Sequence, residues 1–341
     1  MHHEVLIKLA DGQRHTAGEL MTQLALNPAE LKQAISTLIT YGVQIHFPAA
    51  DEYQLSETLE LLDYSHLNAA LPAITRQHLA LVEIHSVLDS TNRYALEQCE
   101  GVVPFACLAE YQTAGRGQQG RQWISPYASG LCLSLKHRFQ SHNSLVGLNL
   151  ALAVTVVQVL RRLGAVDVGL KWPNDILWKG RKLAGLLLES RCEKNSCEVV
   201  IGIGINVKMP AVDINSIIQP WVDLHTILGQ PISRNVLAAM LIDHCLQTLI
   251  IYPQEGLALF LPDWYRFDLS YGQRVTLEIP FKTSKNSAED VGEKSGNEFE
   301  IQVNKQWITG TACGIDEQGA LLLQVGNHCR RYVYGEVRLH L

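Results

Sequence analysis

From Leu79 to about Leu269 the chain alternates short strand-like runs with helix-length apolar patterns, and the spacing of those runs restricts the fold. Strand patterns cover Leu79–Ile84, Phe105–Tyr111, Leu131–Lys136, Val168–Trp172, Asp175–Trp178, Leu183–Arg191 and Cys197–Val207. Helices fit Asn92–Glu100, Leu145–Leu163, Arg234–Ile251 and Gly256–Trp264. Parallel neighbours need a long crossover, and several of these strands are separated only by short turns. The pattern therefore predicts a mixed sheet with helices and excludes a doubly wound parallel one. The most apolar stretch, Leu145 to Leu160, has 16 residues and contains Asn149 and Gln158. That is too short for a membrane span of about 20 residues, so it reads as a helix buried on most sides and closed by Arg161 and Arg162.

Both flanks differ from this centre. Residues 4–10 form a short apolar start before a turn at Asp11-Gly12, and helix patterns follow at Ala17–Leu26 and Pro28–Tyr41, stopped by Gly42. Asn27 suits an N-cap with Pro28 in the first helical position, and Leu31, Ile35, Leu38 and Ile39 share one face. With the strand-like pair Val43–Phe47 and Tyr53–Leu55, residues 1–66 read as a winged helix-turn-helix. A leucine-rich connection occupies residues 56–80. From Tyr271 the chain is strand-rich, with turns at Asp316–Gly319 and Val325–His328, which suggests a small barrel. Residues 282–298 hold only Ala288 and Val291 as apolar side chains and read as a disordered loop. The expectation is an α+β multidomain chain divided at 1–66, 67–270 and 271–341, which its 341 residues allow.

Charge is unevenly placed. Apolar residues are 47% and charged residues 18%, which excludes a disordered, collagen-like or coiled-coil chain. The net charge is −6, and residues 1–66 alone hold nine acids against three bases, so the rest of the chain is neutral. An acidic balance argues against a general nucleic-acid-coating protein. The eight cysteines show no CxxC pair and no metal-ligand spacing; Cys192 and Cys197, the closest, flank what looks like a hairpin turn. Free thiols of a cytoplasmic protein are the expectation, with no metal ligands assigned. The start MHHEVLIKLADG has too short an apolar run for a signal peptide, and no membrane association is expected.

The strongest local signal is Gly115-Arg116-Gly117-Gln118-Gln119-Gly120-Arg121. Its glycines let backbone approach a ligand, and its arginines carry planar donors suited to phosphate. The string satisfies GxGxxG, but Gln122-Trp123-Ile124-Ser125-Pro126 supplies no following helix, and the acid expected some 20 residues on is absent, so a dinucleotide site fails on context. No Gly-Lys-Ser/Thr closes it as a Walker loop. Between Glu110 and Asp167 there is no acid at all, against six Lys or Arg, which supports an anionic ligand. A second signal is Lys171-Trp172-Pro173-Asn174-Asp175, where Pro173 interrupts pairing and presents Trp172, Asn174 and Asp175 at a strand connection, followed by Lys182 entering an apolar strand. A third, Gly202-Ile203-Gly204-Ile205-Asn206, sets two glycines on one strand face where a flat ligand could lie.

In order and spacing, Asp89-Ser90-Thr91-Asn92, Glu110-Tyr111-Gln112 with the Gly115–Arg121 loop, Lys171–Asp175, Arg181–Gly185 and Gly202–Asn206 resemble the motifs of biotin protein ligases. The front module, with Gly314-Ile315-Asp316 and Gly319-Ala320-Leu321 near the end, resembles the bifunctional ligase–repressor form. The resemblance implies a class II synthetase-like central domain, an SH3-like C-terminal barrel and a homodimer joined through the central sheet. It also implies a two-step reaction: biotin and ATP, with Mg2+, give biotinyl-5′-AMP, and a lysine of a carboxylase biotin carrier domain, such as that of acetyl-CoA carboxylase, takes the biotinyl group. Lys182 then suits the carboxylate–phosphate junction, and Arg116 and Arg121 the phosphates, in a loop with Gly115, Gly117 and Gln118. Ser90, Thr91, Asn92 and Gln112 would serve the ureido ring, Gly185 and Gly204 leave room for the bicycle, and Trp123 covers the adenylate. Asn206 would contact nucleotide or metal, and Asp175 would orient the incoming lysine or assist magnesium.

Two departures stand out. Gln118 replaces a second arginine usual in the family loop, which implies faster escape of the adenylate. The wing turn reads Pro48-Ala49-Ala50-Asp51-Glu52 where ligase–repressors commonly carry glycine–lysine, and the second helix offers only Lys32 beside Glu30. Affinity for operator DNA rests largely on neutralised phosphates, so the acidic module argues against repression. The alternatives are a biotin-sensing DNA-binding repressor and a lipoate–protein ligase on the same fold, the latter opposed by the Gly115–Arg121 and Lys171–Asp175 strings.

Overall fold

The computed structural model describes residues 1–98, 101–140, 145–193, 196–210, 219–283 and 302–339. A seven-stranded sheet organises the centre: β4 (Leu81–Leu88), β5 (Phe105–Gln112), β6 (Gly130–Phe139), β7 (Val168–Lys171), β8 (Asp175–Trp178), β9 (Arg181–Glu193) and β10 (Ser196–Asn206). Its order is β4-β5-β6-β10-β9-β8-β7. Only β4 and β5 run parallel, and every other neighbouring pair is antiparallel, so the mixed sheet expected from the short connections is present. The one crossover between parallel strands is filled by helix α6 (Thr91–Glu97).

Strand periodicity gives this sheet two unlike faces. On one, Leu131, Leu133, Leu135, Val199, Ile201, Ile203 and Ile205 join a single buried cluster with helices α7 (Leu148–Arg162) and α9 (Arg234–Glu255). Helix α7 buries residues on every side, as its apolar run predicts, and its Thr155 bonds Thr248 of α9 at 2.8 Å. Helix α9 is long and apolar enough to cross a membrane, but most of its residues are buried as the core helix of this layer. Intervening positions on the opposite face, Cys132, Ser134, Gly202, Gly204 and Asn206, are small or polar and leave the sheet open to a ligand.

The N-terminal residues build α1 (His2–Leu9), α2 (Ala17–Leu24), α3 (Pro28–Thr40) and a three-stranded sheet of β1 (His15–Thr16), β2 (Ile45–His46) and β3 (Glu52–Leu55). Capping boxes at Thr16–Glu19 and Asn27–Glu30 start α2 and α3, the second with proline in the first turn. Val5, Leu6, Leu9, Leu20, Leu31, Ile35 and Leu38 form a separate core that reaches Tyr127 and Ala128 of the central region. C-terminal strands β11 (Arg274–Thr283), β12 (Gln302–Ile315), β13 (Leu321–Val325), β14 (His328–Tyr332) and β15 (Glu336–Leu339) form one sheet in the order β14-β13-β12-β11-β15. The turns after Ile315 and Val325 fall where the sequence places them, and this sheet shares its buried cluster with the centre.

Several expectations need correcting. The apolar start is helix α1, whose Val5, Leu6 and Leu9 recur at helical spacing. The connection at 56–80 contains α4 (Tyr64–Ala70, capped by Asp63) and α5 (Ala73–His78). A further helix, α8 (Leu224–Leu228), is capped by Asp223, and the pattern at Gly256–Trp264 resolves into a 3-10 turn at Leu257–Phe260 followed by α10 (Leu261–Phe267). Residues 282 and 283 continue β11, while 284–298 of the expected loop lie outside the described residues. Cys107, Cys132, Cys245, Cys313 and Cys329 are thiols outside any disulfide, as expected, but Cys192 and Cys197 are joined in one. They are cross-strand partners in the β9–β10 hairpin with Cα atoms 4.0 Å apart.

Candidate active site

A cavity of about 1090 Å³ lies over the polar face of the sheet, between the Gly115–Arg121 loop and the C-terminal strands. Of the residues given a role toward biotin or nucleotide, all except Gly115 line it: Ser90, Thr91, Asn92, Gln112, Arg116, Gly117, Gln118, Arg121, Trp123, Asp175, Lys182, Gly185, Gly204 and Asn206. Gly115 is buried behind the loop, where its carbonyl accepts from Trp123 N–H at 2.9 Å.

One end of the cavity is neutral and hydrogen-bonding. Ser90 caps α6 by accepting from Arg93 N–H. Thr91 donates to Gln112 Oε1 from both its backbone N–H (2.8 Å) and its hydroxyl (3.1 Å). Ser134, which no sequence motif singles out, sits beneath them with Oγ 2.7 Å from Thr91 Oγ1 and 2.6 Å from Asn92 Oδ1. Buried uncharged donors and acceptors of this kind suit a polar, uncharged ligand group.

The other end is cationic. Lys171 and Lys182 hold Asp175 between them, Nζ of Lys171 at 2.8 Å from Oδ2 and Nζ of Lys182 at 2.6 Å from Oδ1. Burial pushes the Asp175 carboxyl up, but the two lysines outweigh it and hold the group below its ordinary value. Each carboxylate oxygen therefore accepts from one lysine. Lys182 owes its position to a β-bulge between β8 and β9 at Ile176/Leu177 and to a bridge with Trp221. Asn206 serves that bridge, its Nδ2 donating to the carbonyls of Lys182 (3.3 Å) and Val222 (3.1 Å). Among the described residues no group of three or more His, Cys, Asp or Glu could hold a metal ion.

The loop folds back on itself, Arg116 bridging Gln122, with Gly117 N–H donating to Arg121 O at 2.7 Å and a 3-10 turn at Gln118–Gly120. Both arginines reach across the cavity. Arg116 Nη2 lies 2.7 Å from Glu189 Oε2 on β9, and Arg121 pairs with Glu336 on β15 at 2.8 Å. These acids are 73 and 215 residues away, so no local pattern could have found them. The acid-free stretch thus receives its counter-charges from elsewhere in the fold.

Two readings of the motifs change. The glycines of β10 are not bare: a Cβ on Gly202 would stand 2.5 Å from Asn92 Oδ1, and one on Gly204 2.5 Å from the Trp123 indole. Trp123 therefore lies on the strip reserved for a flat ligand, close also to Gly185, and its buried indole N–H has no hydrogen-bond partner. Such a donor is costly to leave unpaired and marks where a ligand acceptor belongs. In the Lys171–Asp175 string, Trp172 is buried, not presented; its indole N–H donates to Gly319 O at 3.0 Å, while Asn174 Nδ2 donates to Leu186 O at 2.7 Å.

The profile of the Biotin/lipoate A/B protein ligase family matches residues 84–206, and that of the Biotin protein ligase C terminal domain matches residues 294–339. The bifunctional ligase/repressor BirA of Salmonella typhimurium is 35% identical over 97% of this chain and 95% of its own length. The chain belongs to the biotin protein ligase family. The BirA of Escherichia coli is 34% identical over 98% of this ligase and 96% of that protein. Among solved structures, the biotin protein ligase from Aquifex aeolicus in complex with biotin and ATP shares the fold, with a TM-score of 0.59 at 24% identity over 76% of this ligase and 98% of that chain. The shared part corresponds to the mixed central sheet and the C-terminal sheet that enclose the cavity.

Proposed function

We propose that this chain is an ATP-dependent biotin–protein ligase that forms biotinyl-5′-AMP and transfers the biotinyl group to a lysine of a carboxylase carrier domain. The observation that carries the proposal is one cavity with a neutral, hydrogen-bonding end at Thr91 and Gln112 and a cationic end at Lys171, Lys182, Arg116 and Arg121. In the first step a biotin carboxylate oxygen bonds to the α-phosphorus, the bond to the bridging oxygen breaks, and pyrophosphate leaves. Two anions approach and charge builds on the phosphoryl oxygens, so fixed cations lower the barrier. Lys182 suits the junction of carboxylate and phosphate, and Arg116 and Arg121 suit the phosphate chain of MgATP. Ser90, Thr91, Asn92 and Gln112 suit the ureido group, and Trp123, over Gly204 and Gly185, would move from floor to cover as the bicycle enters.

In the second step an acceptor amine attacks the carbonyl of the mixed anhydride, its proton is released, and AMP departs. Asp175, held ionised between two lysines, would fix their geometry and carry no proton at neutral pH. The domain division 1–66, 67–270 and 271–341, with a class II synthetase-like centre, an SH3-like C-terminal barrel and a cytoplasmic location, belongs to the same reading. A homodimer through the central sheet is supported by the edge of β9 beyond Leu187, which has no strand partner on the β8 side among the described residues.

DNA-binding repression is kept as a second reading on one observation: residues 1–55 form three helices and a small sheet in the order of a winged helix-turn-helix, and the bifunctional relatives match over nearly the whole chain. The exposed side of α3 carries Lys32 with Gln33, Ser36 and Thr40, which offers little to phosphate. Incubation with ATP, magnesium, biotin or lipoate, and a biotin carrier domain separates biotin transfer from lipoate transfer. Biotin incorporation at the carrier lysine is expected; lipoate incorporation in its place would overturn the assignment.

A further inference from the structure

Resting on the ligase reading, we infer that Glu189 is a positioning residue that fastens the phosphate loop to the neutral end of the pocket, so that each substrate strengthens binding of the other. One oxygen of Glu189, Oε2, accepts from two donors on different elements: Arg116 Nη2 of the loop at 2.7 Å and Asn92 Nδ2 of α6 at 2.8 Å. Asn92 is held in place, because it packs against Gly202 and its Nδ2 also reaches Leu187 O at 3.2 Å. Its other amide atom accepts from Ser134, whose single hydroxyl proton faces both Asn92 Oδ1 and Thr91 Oγ1.

A hydrogen-bonded chain therefore runs from Gln112 and Thr91 through Ser134, Asn92 and Glu189 to Arg116. A ureido group entering among Thr91, Ser134 and Gln112 re-partners the Ser134 proton, and Asn92 is the next group to feel the change. Charge-assisted hydrogen bonds are the strong ones, so the Glu189 carboxylate is the link that transmits most. The Arg116 side chain is 40% exposed on a loop, whereas that of Glu189 is 26% exposed on β9, which pairs with β10 at that position. Glu189 touches neither reacting atom; it acts through Arg116 and Asn92.

The test is calorimetric binding of biotin and of a non-hydrolysable ATP analogue, each alone and in the presence of the other, for the full chain. In the wild type either ligand should tighten the other by at least about fivefold, equally in both directions, the lower end of ordinary coupling. Glu189→Gln, which keeps shape and removes charge, should bring the coupling below about twofold while biotin alone still binds. Arg116→Ala, on an exposed loop where folding is not at risk, should remove the same coupling, and the double variant should lose no more than either single one. Wild-type coupling in both variants, or losses that multiply in the double variant, would overturn the inference while leaving the ligase reading intact. Failure of the wild type to bind biotin at all would overturn that reading and this inference with it.

Discussion

The exposed side of α3 and the cavity over the central sheet treat charge in opposite ways. The cavity gathers Arg116, Arg121, Lys171 and Lys182 from three separate stretches and meets them with Glu189, Glu336 and Asp175. Helix α3 shows solvent one lysine, and its module holds the whole formal excess of negative charge. Net charge thus says little about either region; the side chains that converge say what anion each can take.

The two regions meet at a buried polar seam. Arg234, at the start of α9, pairs with Glu110 at 2.7 Å and donates to the carbonyl of Glu60, while Glu110 accepts from Leu62 N–H at 2.5 Å. Beside it Tyr41 of the N-terminal module stacks on Tyr111 with ring centroids 4.3 Å apart. Breaking a buried pair by removing one partner strands the other charge.

The comparison can be broken or sharpened by experiment. The largest effect is expected from Lys182→Ala, which should lower the rate of adenylate formation by about a hundredfold or more, as loss of a transition-state donor does. Lys32→Ala should leave that rate unchanged, and equal losses would contradict the division of labour. At the seam, Arg234→Met should cost about 3–5 kcal/mol in urea unfolding. A loss under about 1 kcal/mol would show that the two regions are not held there.

Gln118→Arg comes next. A further charged donor on the loop should slow release of preformed biotinyl-AMP about tenfold, the weight of one charged hydrogen bond. An unchanged rate would sink the idea that this loop holds its product loosely. For the opposite region, affinity for duplex DNA should fall with salt along a log–log slope near −0.9, the value for about one neutralised phosphate. Adding Glu30→Lys and Ser36→Lys should steepen it by about 0.9 for each further phosphate neutralised.

The smallest effects concern titration. Burial pushes the Cys132 thiol up to about 12, so at neutral pH iodoacetamide should label exposed Cys329 and spare Cys132, read by peptide mass. Asp175 lies below its unfolded value when folded, so its contribution to stability is complete above the unfolded pKa and fades as pH falls through the folded one. Asp175→Asn should therefore flatten acid unfolding at the low end and leave the pH dependence near neutrality unaltered.

How much of this could be read in the chain follows from distance. The mixed sheet and helix α7 were legible because strand and helix periods are local, and the loop with Lys171–Asp175 was legible because glycine, arginine and proline constrain their own neighbours. Glu189 and Ser134 were not, since their partners come from strands brought together only by the sheet order. Trp172 was misplaced because its indole N–H finds Gly319 O, 147 residues on, a contact no pattern near it announces. Helix α1 was missed because its buried face of Val5, Leu6 and Leu9 is only two turns long.

The most direct test of the central claim is single-turnover transfer of radiolabelled biotin to a carrier domain, wild type against Lys182→Ala, with ATP and magnesium. The wild type should label the carrier at one lysine, and the variant should accept chemically made biotinyl-AMP far better than biotin plus ATP. Equal activity of the variant with both donors, or no labelling by the wild type, would contradict it.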